Sequence, residues 1–536
     1  MTVARPGGRG GGWGGLVALL VAALPTASLV AQASPPGQRI DTIVIHNANV
    51  FDESWDGPAF LGRLANALHV TTRASVIRRT LLLDAGDPYD SARVAESERA
   101  LRALNVFRSV RTDTARLGPR LALRVTTADG WSTKPQAGFS TAAGDETWQL
   151  GLVEENFLGL ATTLTAAYSR TPDRDVLEFQ YLAPHFGFRR AALLLEYSDR
   201  SDGRRGGWRY GVPFYQTAAR WALWLSGEAA NERVLVFRDG RADTARAPSG
   251  GFARRALRFG LSGGVALRAT SRDYLRLWGT LVWRREDFDP TSVRARSVFA
   301  EAGVGVELGH SRFRVLEHFN SYARREDVDL SQVLRVGVWA APRAWGYPAE
   351  RAGLGPELAG QFTAVWPRGF AALRGQASGV LTASGLDSAR VRASLTVADQ
   401  NLPRQTWVLF LEGGVARGPK PGGEFDPWME QRGPRLFGAH AFTGTRLLWG
   451  TVENRILLAD NVWGLVGVGL APFLDYGGAW YADQRPRLGG NVGLSLRLGP
   501  TRSVRAEAGE IAVGVRFGRG WGDGPWAVAV RKGFVF

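Results

Sequence analysis

Cysteine is missing from all 536 residues. No disulfide and no thiolate metal site can therefore form. Lysine is almost missing too. Lys134, Lys420 and Lys532 are the only ones among 66 basic residues, so arginine carries nearly all of the positive charge. The six histidines show no paired metal spacing. No G-x-S-x-G, H-E-x-x-H or P-loop pattern occurs. Acidic pairs are many, but a wet polar surface supplies them without enzymology. The sequence thus gives no reason to expect an enzyme, a cofactor or a metal. Long apolar runs are also missing. The longest, Leu16–Leu24 (LVALLVAAL), ends at Pro25, well short of the ~20 residues of a spanning helix. With a mean hydropathy of −0.13, the chain is not a bundle of membrane helices.

The formal charge is +16 and the pI about 10.7. That balance raises the question of nucleic acid, but the arginines are scattered through alternating segments and form no basic stripe. No nucleic-acid partner is expected. Glycine (67), phenylalanine (26) and tryptophan (19) are abundant. Such a composition, at middling hydropathy, suits a barrel that is half lipid-facing and half wet.

The last eleven residues give the pattern its clearest form. Trp526, Val528, Val530, Phe534 and Phe536 share one parity, and Ala527, Ala529, Arg531 and Gly533 the other. A period of two means a strand with one large apolar face. Ten steps at ~3.3 Å, tilted by ~40°, cover ~25 Å, the height of a barrel's lipid-facing band. The pattern recurs upstream. Leu164 and Tyr168 oppose Thr163, Thr165 and Ser169. Trp208, Tyr210, Val212 and Phe214 oppose Arg209 and Gly211. Leu275, Leu277, Leu281 and Trp283 oppose Tyr274, Arg276 and Thr280. Val492, Leu494, Leu496 and Leu498 oppose Gly493, Ser495 and Arg497, and Val513, Val515 and Phe517 oppose Gly514 and Arg516. A lipid-facing arginine near the midplane costs roughly 2–4 kcal/mol, so the arginine face should line the bore. Residues 131–536 are expected to form a transmembrane antiparallel β-barrel. At ~10 residues per strand plus turns they allow roughly 14–18 strands. The longer polar loops, Arg238–Ser249 and Gly418–Gly433, should be extracellular.

Two segments precede the barrel. In residues 1–33, Arg5 and Arg9, the short run Leu16–Leu24 and the exit Ala31-Gln32-Ala33 form a secretory signal peptide. In residues 34–130, Ile40–Ile45 reads as a strand and Phe60, Leu61, Leu64 and Leu68 as one face of a short helix. Thr71-Thr72 is placed to cap a helix over Arg73–Leu83, and Asp90 or Ser91 a helix carrying Val94, Ser97, Leu101 and Leu104. Strands at Val106–Thr112 and Leu121–Thr127 follow. The order is strand, helices, strand, strand.

The run GDPYDSARVAESERALRALNVFRSVRTD, residues 86–113, resembles a polypeptide-transport-associated (POTRA) domain, with Gly86 and Tyr89 in its turn and Leu101, Leu104, Phe107 and Val110 matching its helix exit and strand. The insert holding the Phe60–Leu68 helix departs from the plain pattern. Glu154-Glu155-Asn156-Phe157-Leu158-Gly159 is similar to a segment near the first barrel strands of the POTRA-barrel superfamily, which includes the BamA/TamA-type insertases, the bacterial surface antigen family and their two-partner-secretion relatives. Residues 432–455, RGPRLFGAHAFTGTRLLWGTVENR, resemble that family's sixth extracellular loop and the strand after it.

The resemblance implies a barrel of about 16 strands behind one POTRA domain, in a Gram-negative-type outer membrane with the N-terminal domain in the periplasm. The family's loop motif falls on Pro434-Arg435-Leu436-Phe437, where Leu436 replaces a glycine. A second placement uses Arg432-Gly433. Glu453 and Asp475 match positions where the family keeps acids in adjacent strands. A guanidinium takes a carboxylate in a fixed, bidentate plane, so Arg435 is expected to anchor the loop to Glu453 and Asp475. The alternative is that all three are separately solvated bore charges. The closing strand, with Trp526, Val528, Val530, Phe534 and Phe536, carries the targeting signal by the same resemblance. Its expected partners are outer-membrane lipid, unfolded outer-membrane or secreted clients bound by strand addition, and periplasmic chaperones or lipoproteins. The exposed edge for addition is expected at Leu121–Thr127. An insertase, a two-partner secretion transporter and a passive porin or adhesin are the three functions left open.

Overall fold

The computed structural model describes residues 38–51, 59–118, 120–142, 145–188, 190–247, 250–289, 296–321, 325–347, 352–418, 420–501, 508–518 and 526–532. The signal-peptide segment, Phe534 and Phe536 lie outside the described residues.

The N-terminal unit consists of β1 (Thr42–Ala48), α1 (Ala59–Leu68), α2 (Ala74–Thr80), α3 (Ser91–Ala103), β2 (Phe107–Leu117) and β3 (Arg120–Asp129). Asp90 caps α3 by accepting from Ala92 N at 2.8 Å and Arg93 N at 3.3 Å. Helical spacing then turns Val94 and Leu101 into the core with Ile40, Ile77, Leu123 and Val125. Phe107 and Val110 are buried there, and Leu104 packs at its edge. Gly86 makes its turn at φ 95° and donates to Ile40 O at 2.7 Å. Tyr89 follows on the outside, 39 % exposed.

Three expectations need correction here. Helix α2 stops at Thr80, because Leu81 goes extended. Its N-cap is Arg73, without a side-chain cap, while Thr72 donates both N–H and hydroxyl to Asp129 (2.7 and 3.1 Å). The sheet order is β1-β3-β2. Leu121–Thr127 is therefore central, parallel to β1 and antiparallel to β2, and not an edge.

From Thr133 the chain forms a closed barrel of twenty strands that follow one another around the ring in chain order. The expected sixteen, and the 14–18 from counting, fall short. Many hairpins turn in two or three residues, as at Arg200/Gly203, Trp366/Gly369 and Thr382/Gly385. So little chain is spent on connections that more strands fit. Strand 526–532 closes the ring between strands 509–518 and 133–142.

The alternation sets inside and outside. Ile511 and Val513 are 39 % and 43 % exposed while Ala512 between them is buried. Val528 is exposed and Ala529 buried in the closing strand. Leu261, Leu281, Val304, Val336, Leu373 and Leu494 continue the exposed apolar exterior around the ring. Arg276, Arg497 and Arg516 turn inward and are buried. An aromatic cluster marks one rim, where Phe186 and Phe188 meet Tyr210 edge-on at 6.2 and 6.0 Å, as at a membrane interface. Among the described residues no helix is long and apolar enough to cross a membrane.

The face bearing the N-terminal unit is called near, the opposite one far. Both long loops named above open on the far face. A third long connection, between His310 and Gln332, lies on the near face and carries its own hairpin, Phe313–Glu317 with Arg325–Asp329. Its strands are five residues long, too short to cross, so the expectation that long connections belong to the far face fails there.

Candidate functional site: a bore closed from both faces

The connection between strands Gln405–Arg417 and Arg446–Val462 is the eighth on the far face, counted along the chain. The resemblance implied the sixth; the twenty-strand ring adds two hairpins ahead of it. The loop turns into the bore. Phe425 pairs backbone to backbone with Gly444 (2.7 and 3.0 Å), closing the loop's neck. Beyond the neck the chain carries Arg435 to the inner wall.

Arg435 is 1 % exposed in its side chain and meets four consecutive strands. Asp475 is bidentate, accepting from Nε and Nη2 at 2.9 Å each, and also accepts from the Arg435 backbone N–H at 3.0 Å. Glu453 accepts from Nη2 at 3.1 Å and Glu510 from Nη1 at 2.5 Å. Thr451 and Ser495 complete the ring, and the guanidinium carbon lies 3.9 Å from the Phe473 ring centroid. Burial alone would lower the Arg435 pKa. The carboxylates Asp475, Glu510 and Glu453 outweigh it and raise the value well above the usual range. A planar fork matched by fixed carboxylates holds orientation as well as charge.

The two motif placements thus separate. Arg435 meets Glu453 and Asp475. Arg432 pairs instead with Glu412 at 3.1 Å, and Gly433 turns at φ 87° beside Pro427. Leu436 is fully buried with Phe473, Ala512 and Ala529, so the loop tip touches the closing strand. A Cβ on Gly514 would come within 3.0 Å of Leu436, and glycine leaves that seat open. Phe437 packs edge-on to Phe442 at 5.0 Å.

Glu510 was not singled out from the sequence. The signal was present: the inner parity of Arg516 and Gly514 runs back through Ala512 to Glu510. A second fixture, His440, was missed as well. It stacks on Phe237 at 3.4 Å, its Nε2 meets Asp173 at 2.8 Å, and its Nδ1 meets Asp426 at 2.5 Å. Burial would lower its pKa, but the hydrogen bonds to Asp173 and Asp426 raise it to about 9. It is therefore an imidazolium at neutral pH. It ties the loop to the turn ahead of Asp175 and to the hairpin at Phe237–Arg238.

The near-face hairpin closes the other end. Leu316, Phe319 and Leu330 bury against Phe370, Ala372, Ala398 and Val408 of the inner wall. Arg455 donates to Phe319 O and to Asn320 Oδ1 (3.0 Å), and its Nε donates to Glu453 Oε1. Glu453 thus takes Arg435 on one oxygen and Arg455 on the other. The hairpin's base meets the N-terminal unit: Arg102 grips Asp327 with Nε and Nη2 at 2.5 and 2.9 Å, and Arg99 lies over Phe313 at 4.6 Å. Further seats follow along the rim. Glu96 accepts from Thr217 N and Oγ1 (2.6 and 2.9 Å), Thr80 Oγ1 meets His185 Nε2 at 2.9 Å, and Asn156 donates to Val70 O at 2.9 Å. In the Glu154–Gly159 segment, Glu155 also pairs with Lys134 at 2.5 Å.

Between the two closures the bore is not filled. A cavity of about 1350 Å³ runs from Phe214 and Arg276 to Tyr347 and Lys420. Its charges pair along the wall, Arg284 with Glu301 and Arg335 with Glu307 and Glu357. Trp278 lies flat on that wall, where a Cβ on Gly337 would come within 2.2 Å of its ring. Among the described residues no group of three potential metal ligands occurs.

No protein-family model matches the chain, and no curated protein matches it in sequence. In structure the chain is similar to barrel proteins. CdiB from Escherichia coli aligns at 12 % identity over 95 % of this chain and 92 % of that one, with a TM-score of 0.46. BamA from Haemophilus ducreyi lacking POTRA domains 1–3 aligns at 11 % over 91 % and 84 %, with 0.36. The alcaligin receptor FauA from Bordetella pertussis aligns at 12 % over 77 % and 78 %, with 0.32. These are distant likenesses in fold.

Proposed function

We propose that this protein is an outer-membrane barrel that assembles or translocates client polypeptides, held shut at rest by its own far-face loop and near-face hairpin. The observation that carries this reading is Arg435, buried among Asp475, Glu453 and Glu510 on the strands leading to the closing strand. A loop anchored there fills part of the bore instead of leaving it free for diffusion. The anchor braces the sector next to the seam, where a seven-residue strand closes the ring. Client strands would gain main-chain hydrogen bonds at an exposed edge, which lipid cannot supply. In the N-terminal unit the lateral strands β1 and β2 take the role expected of Leu121–Thr127. On β2, Glu98 already accepts from Thr112 N at 2.7 Å, so a client there must displace that carboxylate.

The test compares the full chain with one lacking residues 34–130 in liposomes, reading both client assembly and ion conductance. Loss of assembly on the deletion supports the proposal. Unchanged conductance with no assembly by either form leaves the passive porin. Export of a single dedicated partner through the bore, without membrane insertion, would favour a two-partner secretion transporter. Periplasmic orientation of the near face, the lipid exterior and the client partners are parts of this proposal.

A further inference from the structure

Helix α1 belongs to the insert that departs from the plain domain pattern, and the reading above gives it no role. Phe60 and Leu64, one helical turn apart, are 61 % and 56 % exposed. Ala67 is exposed with them. The segment after the helix is seated on the barrel rim. His69 Nε2 meets Asp129 of β3 at 3.0 Å, and on the rim itself Val70 O accepts from Asn156 and Arg73 N donates to Gly159 O at 2.9 Å. Gly159, at φ +72°, lets the two backbones approach: a Cβ there would lie 2.6 Å from Thr71 O and 3.4 Å from Val70 Cγ1.

The rim turn itself is apolar and exposed at Phe157, Leu158 and Leu160. It continues the outward row of Leu150 and Leu152 on the strand Asp145–Phe157. The exposed apolar surface therefore passes from the barrel wall through the rim to Val70 and on to α1. Exposed Arg63 on the same helix supplies a cation for phosphate headgroups.

We propose that α1 is an in-plane membrane anchor whose partner is the acyl–headgroup boundary of the near-face leaflet. Continuity with the lipid-facing wall selects lipid over protein as the occupant. A short helix with an apolar face lies in the interface plane when one side of it is already held there. The anchor fixes the N-terminal unit beside the second and third barrel strands, close to the seam. This inference rests on the membrane-barrel reading above.

The cysteine-free chain makes the test direct. F60C, L64C, the wall control L261C and the β2 control R111C each carry a nitroxide on the full chain in phosphatidylethanolamine/phosphatidylglycerol vesicles. Collision with oxygen is compared with collision with a water-soluble nickel chelate. Heat-modifiable mobility verifies that each variant is folded. F60C and L64C are expected to match L261C, with oxygen favoured several-fold over nickel. A match of both to R111C overturns the anchor while leaving the barrel standing. Shielding of both labels from both reagents also overturns it, in favour of a protein contact. If L261C itself sits in water, the membrane reading fails first.

Discussion

Two sectors of one bore use the same residues to opposite ends. On the strands from Arg446 to Gly518, three carboxylates converge on a guanidinium that arrives from a loop, and the wall there is sealed. Across the bore, between Trp224 and Arg390, arginines and glutamates pair mostly with neighbours on the wall, Glu286 also taking Lys420 from the loop, and leave about 1350 Å³ of space. The difference is how deeply the incoming cation is held. Lys420 meets Glu286 with its side chain 37 % exposed, whereas Arg435 is 1 % exposed among its acids. A cation buried that far ties its loop to the inside of the bore.

Substitutions can break or sharpen this contrast. The largest effect is expected from Arg435→Ala. It takes the guanidinium away from buried Asp475 and Glu510 and leaves Glu453 with Arg455, and breaking a buried pair by removing one partner costs about 3–5 kcal/mol. The unfolding temperature, read by heat-modifiable mobility, should fall steeply. Arg284→Ala, in the open sector, should cost about 1 kcal/mol or less. Equal shifts for the two variants would erase the distinction between the sectors.

Next in size is the far-face clamp at His440. Its folded pKa stands near 9, against an ordinary value of about 6.5. Its stabilisation is fully present below about 6.5 and is lost as pH rises through 9. Protease cleavage within residues 418–445 should therefore accelerate between pH 7 and pH 10, and H440N should cleave at one rate throughout. The near face behaves oppositely. Burial, then Arg190 and Arg79, push His185 down to about 4. Its contribution is present above about 6.5 and lost as pH falls through 4. Crosslinking between α2 and the rim turn at His185 should weaken in acid and hold in base. A shared pH response of both faces would refute the assignment.

An effect as small as that of Arg284→Ala is expected at Arg102→Ala. The Arg102–Asp327 pair is partly exposed and worth about 1 kcal/mol. Stability should barely move, while the near-face hairpin loosens and single-channel noise rises.

Much of this was legible beforehand, where one side chain in two decides the outcome. Lipid outside and water inside force the alternation, so Val513 against Arg516 or Leu494 against Ser495 could be read directly. The pairing of Arg435 with Asp475 was an expectation carried by the family resemblance of residues 432–455, with separately solvated charges as its alternative. Other features left weaker traces. Strand β3 is buried along nearly its whole length, at Leu121, Ala122, Leu123, Val125, Thr127 and Ala128. That continuous pattern marks a central strand, whereas Leu121, Leu123 and Val125 by themselves show only the alternation of a half-buried one. The near-face hairpin faces protein and water, never lipid, so REDVD at Arg325–Asp329 carries no exterior stripe. The strand total depended on turn lengths, which hydrophobic periodicity does not encode.

Glu453 has a consequence beyond its own strand. One of its oxygens answers a guanidinium lowered from the far side, and the other answers the guanidinium that grips the near-side hairpin. Arg455 belongs to the same wall strand as Glu453, and Arg497 lies 3.6 Å from the oxygen that Arg455 takes, so the carboxylate stays answered when either closing segment withdraws. The far loop and the near hairpin are nonetheless pinned within two residues of each other on one strand. That strand, Arg446–Val462, must be in place for both closures to hold.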